Sequence, residues 1–216
     1  TMQHIFKLVL VLFEFVVVIA SSTNPLVHHS WSSCPYEWPI PQGWSLTCIN
    51  VTVPLDWQSS SSSGRQITLG VSKLSPISTP PTRLVWMIPG GPGSPAFPFI
   101  SDILRWISDG TTPFTQPGSA VGFLLPEHRG VALSTPLTCS SLGLTPEMIA
   151  KCIKELTTTE GNWTIEELNH FTTTNAARDL DFLVSTLSHD DDDGSVPVDH
   201  HLYGVSYGTY LVQRWL

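Results

Sequence analysis

The sequence is short of basic residues. Its 216 residues contain 10 Lys and Arg against 18 Asp and Glu, which gives a formal net charge of −8 at pH 7. Nucleic-acid-binding domains concentrate Lys and Arg on one face, because phosphate contacts supply most of their affinity. We therefore expect no nucleic-acid partner.

The sequence also has no Cys-x-x-Cys spacing, the arrangement that zinc and redox motifs use. We therefore expect no zinc or redox role for the cysteines, and we expect no cofactor. In an oxidising compartment, four cysteines predict two disulfides with three possible connectivities. The simplest pairing joins sequence neighbours, Cys34 with Cys48 and Cys139 with Cys152. The alternative is four buried free thiols.

No apolar run is long enough for an obvious membrane span. Leu8 to Ala20 is apolar except for Glu14, whereas a spanning helix needs ~20 apolar residues. A short apolar stretch that ends in small residues is typical of a secretory signal peptide. We predict a cleaved signal at 1–22 and a secreted protein without a stable membrane anchor; an uncleaved anchor is the alternative. N-glycosylation sequons at Asn50 and Asn162 fit this compartment.

The rest of the chain divides into an irregular arm at 23–48 and a folded domain at 49–216. Alternating apolar residues predict a hairpin of two strands, Ile49 to Leu55 and Ile67 to Val71. Continuous apolar runs predict three strands covered on both faces, at 84–88, 121–125 and 202–205. Helical spacing and capping signals predict helices at 100–107, from Thr145, at 164–167 and at 174–187. The apolar stripe predicted for the second helix is Ile149, Cys152, Ile153 and Leu156. This order of elements predicts an α/β fold with a mostly parallel sheet.

The last apolar run leads into a Gly-x-Ser-x-Gly motif formed by Gly204, Ser206 and Gly208. This is the pattern of a nucleophile elbow, a sharp strand-to-helix turn that exposes a serine hydroxyl. The glycines allow the backbone to fold tightly beneath the serine. The helix that follows favours negative charge at its N-terminus. We therefore predict Ser206 as a nucleophile.

A glycine-rich segment, Gly90 to Gly93, follows the first buried strand. Acyl transfer passes through a tetrahedral oxyanion that needs fixed backbone N–H donors. A loop at this place supplies one donor, and the residue after the nucleophile supplies the other. We therefore predict an oxyanion hole formed by Gly91 and Tyr207. Either motif alone also fits an ordinary turn, so the prediction depends on their order and their places at strand ends.

Four segments together resemble the serine aminopeptidases of the α/β-hydrolase superfamily, in particular the prolyl and tripeptidyl aminopeptidase group. These segments are Gly90–Ser94, Glu127–Ser134, Thr173–Asp181 and Tyr203–Tyr210. The resemblance implies an α/β-hydrolase fold, Ser206 as the nucleophile, no metal, and peptide substrates shortened from their N-termini. The chain departs from the family at Pro89, where histidine is usual. It also departs at Glu127 and Ala132, where aspartate and glycine are usual.

The sequence holds no Asp, Glu or His after Ser206. In this family the acid, the histidine and a helical lid all follow the elbow. The resemblance therefore implies the N-terminal part of such an enzyme, without the last strands and the lid. It would be inactive alone, because an unassisted serine hydroxyl is a poor nucleophile. Five histidines qualify as a displaced base by residue type only: His128, His170, His189, His200 and His201.

The same resemblance makes a prediction about the sheet. In the superfamily, the outer neighbour of the strand before Ser206 comes later in the chain. That strand would here become an exposed apolar edge, which favours aggregation.

Two other functions fit the same motifs. The elbow also serves esterases and lipases, whose substrates are esters or other acyl compounds. A third hypothesis is a secreted, non-catalytic binding domain on a degenerate hydrolase scaffold. The sequence does not indicate an oligomeric state.

Overall fold

A computed structural model describes the backbone at 8–11 and 15–20. It describes complete residues at 30–58, 64–110, 120–140, 143, 145–158, 162–187 and 198–216. The predicted signal peptide is therefore described only in part. His189 lies outside the described residues.

The described strands form one seven-stranded sheet in the order β1-β2-β7-β5-β6-β4-β3. Their bounds are β1 (Leu8–Val11), β2 (Phe15–Ala20), β3 (Trp44–Pro54), β4 (Gln66–Pro76), β5 (Arg83–Ile88), β6 (Val121–Pro126) and β7 (Asp199–Gly204). The predicted hairpin is confirmed as β3 and β4, which pair antiparallel. The predicted parallel part is confirmed as β6, β5 and β7. The sequence thus gives a mixed α/β fold with a partly parallel sheet.

β3 begins earlier than we predicted. It starts at Trp44, inside the segment 23–48 that we assigned to the irregular arm. Two backbone hydrogen bonds between Ser32 and Cys48, at 2.9 and 2.8 Å, pair the arm with this strand. Trp44 and Leu46 pack on the opposite face of the sheet from Ile49, Val51 and Val53, so the apolar alternation changes face within the strand and does not form one continuous pattern.

The strand that precedes Ser206 has a partner on its outer side. β2 pairs antiparallel with β7, so β7 is an inner strand here, not the exposed edge that we predicted. Both β1 and β2 lie within the predicted signal peptide, 1–22. Cleavage of that peptide would return β7 to the edge of the sheet.

Five helices are described. Four of them match the helices predicted from spacing and caps, and the fifth is the helix predicted to follow the elbow. Their bounds are α1 (Phe99–Asp109), α2 (Pro146–Thr157), α3 (Ile165–Leu168), α4 (Thr173–Leu187) and α5 (Tyr207–Trp215). The predicted caps are confirmed: Thr145 accepts a hydrogen bond from the N–H of Met148, and Thr164 forms a capping box with Glu167.

The predicted apolar stripe of α2 is only partly buried. Leu156 is buried, whereas Ile149 and Ile153 are 44% and 40% exposed. Hydrogen bonds and the disulfide between Cys139 and Cys152, instead of apolar packing, connect this helix to the preceding loop. Glu155 accepts hydrogen bonds from both the N–H and the hydroxyl of Ser140.

The sheet is covered on both faces. On one face, Leu84, Trp86 and Ile88 of β5 pack with the apolar sides of α4 and α5. On the other, Val85 and Met87 pack with α1 and with aromatic residues of the arm. This arrangement explains why the β5 sequence is apolar without alternation.

Both predicted disulfides are present. Cys34 is joined to Cys48 and Cys139 to Cys152, with Cα–Cα distances of 4.8 and 5.2 Å. The first ties the arm to β3, and the second ties the loop after β6 to α2. Asn50 and Asn162 are exposed, and their glycosylation stays a prediction.

The departure at Ala132 has a structural consequence. Ala132 has a φ of 45°, in the left-handed region that glycine adopts without a Cβ penalty. An alanine there costs on the order of 1 kcal/mol.

A buried ion pair ties the loop after β6 to α4. The Nε and Nη2 atoms of Arg129 donate to the two carboxylate oxygens of Asp179, each at 2.6 Å. Arg129 Nη1 donates to the carbonyl oxygens of Leu55 and His170, each at 2.8 Å. Trp57 Nε1 donates to the same carboxylate at 2.7 Å. One guanidinium therefore connects the residue after β3, the loop after β6, the segment before α4 and α4 itself.

Arg129→Met is expected to lower the free energy of unfolding by about 3–5 kcal/mol, because Asp179 is left buried without a counter-charge. Arg105→Met is the control, since it breaks an exposed pair with Asp102 and is expected to cost less than about 1 kcal/mol. Chemical denaturation measures both values. Equal losses for the two variants would show that the buried pair has no special role.

Candidate active site

The two predicted motifs meet at one edge of the sheet. β5 and β7 are parallel neighbours, and Ile88 at the end of β5 pairs with Gly204 at the end of β7. The N–H of Val205 also donates to the carbonyl oxygen of Ile88 at 3.2 Å. The glycine-rich loop after β5 and the elbow after β7 are therefore adjacent, as the parallel topology predicts.

Ser206 occupies the sharp turn between β7 and α5. Its φ of 52° and ψ of −118° are unusual for a residue with a side chain. It caps α5 without using its side chain as an acceptor. The residue is exposed, and its Oγ makes no hydrogen bond with any described residue. The hydroxyl is thus presented to solvent at a helix N-terminus.

The elbow glycines leave no room for side chains. A Cβ on Gly204 would lie 2.6 Å from the carbonyl oxygen of Gly208. A Cβ on Gly208 would lie 2.7 Å from the carbonyl oxygen of Pro89. Only glycine allows β7, α5 and the loop after β5 to approach this closely.

The glycine-rich loop passes directly beside the serine. A Cβ on Gly90 would lie 3.1 Å from Ser206 Cβ and 3.6 Å from Ser206 Oγ, so a glycine there keeps the hydroxyl accessible. Gly91 and Gly93 have φ values of 110° and 103°. Within the described part of the chain, neither the N–H of Gly91 nor that of Tyr207 has a hydrogen-bond acceptor. Both donors are free for a ligand.

Comparison with known proteins agrees with this geometry. The chain is similar to tripeptidyl aminopeptidases. It is 28% identical over 202 aligned residues to the tripeptidyl aminopeptidases of Streptomyces lividans and Streptomyces coelicolor. Each alignment covers 84% of this chain and 34% of the relative, so the chain spans about a third of their length. No protein-family model matches the chain. The similarity relates the chain to a peptidase family of hydrolases.

Tyr207, which follows the nucleophile candidate, is held on two sides. Its hydroxyl donates to Thr173 Oγ1 at 3.0 Å, at the start of α4. Its ring meets the ring of His128 edge to face, with centroids 5.6 Å apart. Both contacts fix the first turn of α5, directly after Ser206.

Two consecutive residues after β6 contact the loop after β5, and sequence reasoning did not find their roles. Glu127 accepts hydrogen bonds from the N–H groups of Ala96 and Phe97 at 2.7 and 3.1 Å. His128 Nε2 lies 3.3 Å from the carbonyl oxygen of Pro89. Since a carbonyl oxygen can only accept, Nε2 carries the hydrogen. The sequence identified Glu127 only as a departure from the family pattern.

Burial raises the pKa of Glu127 to about 7 from its usual 4.5, against the opposing effect of the two N–H donors. The folded protein therefore binds one more proton than the unfolded chain between about pH 4.5 and 7. The contribution of Glu127 to folding stability is present at acid pH and falls as the pH rises through this interval. Burial lowers the pKa of His128, which keeps its ring neutral.

None of the four described histidines bonds to Ser206. His128 is engaged by Pro89, and His200 is buried and accepts a hydrogen bond from Trp86 Nε1 at 3.0 Å. His170 Nδ1 lies 3.7 Å from Asp56 Oδ1. Burial lowers the pKa of His201, which lies on β7. The base for Ser206 is therefore not supplied by these side chains.

Among the described residues, no three His, Cys, Asp or Glu side chains are grouped closely enough to hold a metal ion. In the same part of the chain, no helix combines the length and apolar character that crossing a bilayer requires.

Ser206→Gly is expected to be more stable than Ser206→Ala by about 1 kcal/mol, because glycine relieves the backbone strain at φ 52°. Ser101, exposed on α1, is the matched control. There, glycine is expected to be less stable than alanine by about 1 kcal/mol. Thermal or chemical unfolding of the four variants measures both differences. The same sign at both positions would contradict a strained elbow.

Proposed function

We propose that this chain carries the nucleophile and the oxyanion hole of a secreted serine exopeptidase with an α/β-hydrolase fold. The enzyme removes short units from the N-termini of peptides. By analogy with the relatives, these units are tripeptides. The observation that carries this proposal is the exposed, uncommitted hydroxyl of Ser206 in a strained turn beside Gly90. A hairpin followed by parallel strands with crossover helices supports the fold assignment, and two disulfides fit secretion.

In the proposed reaction, Ser206 Oγ attacks the carbonyl carbon of the scissile peptide bond. The carbonyl oxygen becomes an oxyanion, which the N–H groups of Gly91 and Tyr207 stabilise by hydrogen bonding. The C–N bond then breaks, the amine leaves with a proton, and an acyl-enzyme remains on Ser206. Water hydrolyses this ester and restores the hydroxyl. The N-terminus of α5 stabilises the negative charge next to Ser206.

The reaction needs a base that takes the proton of Ser206, and none of the described histidines bonds to Ser206. The aligned region covers 34% of each relative. We therefore propose that the acid, the histidine and the lid lie in a part of the natural protein that corresponds to the unaligned part of these relatives. Without these groups the chain is expected to be practically inert, since a serine hydroxyl alone is a poor nucleophile.

The test uses the natural gene product that contains this chain. A fluorophosphonate probe is expected to label the protein, and peptide mass mapping is expected to place the label on Ser206. Ser206→Ala is expected to abolish labelling and to lower kcat at least about 10³-fold. Ser101→Ala, which changes an exposed serine of α1, is the control and is expected to label normally.

Substrates then distinguish the chemistry. Tripeptidyl naphthylamides with a free N-terminus are expected to be cleaved faster than aminoacyl or N-acetylated ones. Hydrolysis of short acyl esters alone would make the protein an esterase. Absence of labelling at Ser206 would instead favour a binding domain on a hydrolase scaffold.

A further inference from the structure

The loop that carries the proposed oxyanion donor is held at both ends by the same short segment. At its start, His128 Nε2 donates to the carbonyl oxygen of Pro89. At its end, the carboxylate of Glu127 accepts from the N–H groups of Ala96 and Phe97. The intervening residues include Gly91. Two adjacent side chains thus span the whole loop.

We propose that Glu127 and His128 are positioning residues that fix the distance between the Gly91 N–H and Ser206. This proposal rests on the proposed function, because the N–H of Gly91 matters only if an oxyanion forms there. Neither side chain touches the reacting atoms. They act through the backbone of the loop.

The Glu127 backbone is itself held firmly, so its carboxylate is a fixed anchor. Its N–H donates to the carbonyl oxygen of Gly70 at 2.9 Å. Its carbonyl oxygen accepts from Ser134 Oγ at 2.8 Å, and that Oγ also accepts from the N–H of Gly70. Glu127 is only 2% exposed. Because Glu127 is bonded to β4 in this way, its carboxylate holds the loop at a fixed position relative to the sheet.

The carboxylate also matches the backbone that it binds. The N–H of Phe99 donates to the carbonyl oxygen of Ala96, and that of Ile100 donates to the carbonyl oxygen of Phe97. Glu127 therefore binds the free N–H groups at the first turn that leads into α1. Such groups favour a negative charge. A neutral side chain would hold them less well.

Protonation of Glu127 removes one of its two acceptors, because the carboxyl O–H then faces an N–H donor. The titratable groups around it are Tyr36 from the arm, His128 and Arg129 on its own loop, and Asp179 on α4. Arg129 is paired with Asp179, and burial keeps the pKa of His128 low. Glu127 is therefore the group that changes charge near neutral pH, so the anchor is complete above about pH 7.

The first measurement is amide hydrogen exchange of the peptide that contains Ala96 and Phe97, corrected for intrinsic exchange at pH 5.5 and 8.5. The two N–H donors favour the charged carboxylate, whereas the burial of Glu127 lowers the stability of the whole fold as the pH rises. In the wild type, protection of these two amides relative to that of the core amides of β5 is therefore expected to increase about tenfold at the higher pH. Glu127→Gln offers only one acceptor and is expected to remove this increase. This readout does not require catalysis, so it separates failure of this proposal from failure of the proposed function.

The second measurement is steady-state kinetics of the same gene product. Glu127→Gln is expected to lower kcat about 10- to 100-fold, since a displacement of about 1 Å costs up to 10²-fold, while KM changes less than twofold. His128→Phe, which keeps a ring against Tyr207 but loses the donor, is expected to act in the same direction. Glu127→Asp restores the charge and is expected to recover part of kcat.

Asn175→Ala is the matched control, because it removes a buried hydrogen bond to the His170 carbonyl oxygen at 3.0 Å on a different element. It is expected to lower the melting temperature but to change kcat less than twofold. The proposal is wrong if protection of Ala96 and Phe97 has the same pH dependence in Glu127→Gln as in the wild type. It is also wrong if Asn175→Ala and Glu127→Gln lower kcat equally.

Discussion

The buried pair of Arg129 and Asp179 determines where the loop after β6 lies, and the candidate site depends on that loop. Glu127 and His128 immediately precede Arg129, so their contacts with the neighbouring loop require Arg129 to stay in place. Asp179 fixes α4 at the other end of the pair. The start of α4 in turn contacts Tyr207 through Thr173. One desolvated, bidentate interaction therefore aligns both sides of the site, and a lysine could not reproduce its planar geometry.

Close backbone approach is the second requirement of the site. Parallel pairing of β5 and β7 brings two strand ends together, and glycines at 90, 204 and 208 let the connecting loops touch. Ser206 is the exception, since it holds a side chain in a conformation that glycine would adopt more easily. Strain of this kind persists only where the surroundings enforce it. Here the parallel register and the packing of α5 on α4 enforce it.

Much of this architecture follows from local sequence patterns. Apolar periodicity predicted the hairpin, the buried strands and four helices. Pairing each cysteine with its neighbour in the sequence predicted both disulfides. Motif order predicted that Gly91 and Ser206 would be close. Tertiary contacts were not predictable in this way. Two examples are the pairing of Arg129 with Asp179 and the hydrogen bonds of Glu127 to the loop after β5. Both depend on how elements distant in the sequence pack. The exposure of Ile153 on α2 has the same origin, because periodicity indicates a face but not its partner.

We propose that Ser206, Gly91 and Tyr207 form one acyl-transfer site. The most direct test is a crystal structure of the natural gene product after reaction with a fluorophosphonate. We expect a covalent bond to Ser206 Oγ, with the phosphoryl oxygen about 2.7–3.1 Å from the backbone nitrogens of Gly91 and Tyr207. A phosphoryl oxygen that points into solvent, or an adduct on another residue, would contradict the account.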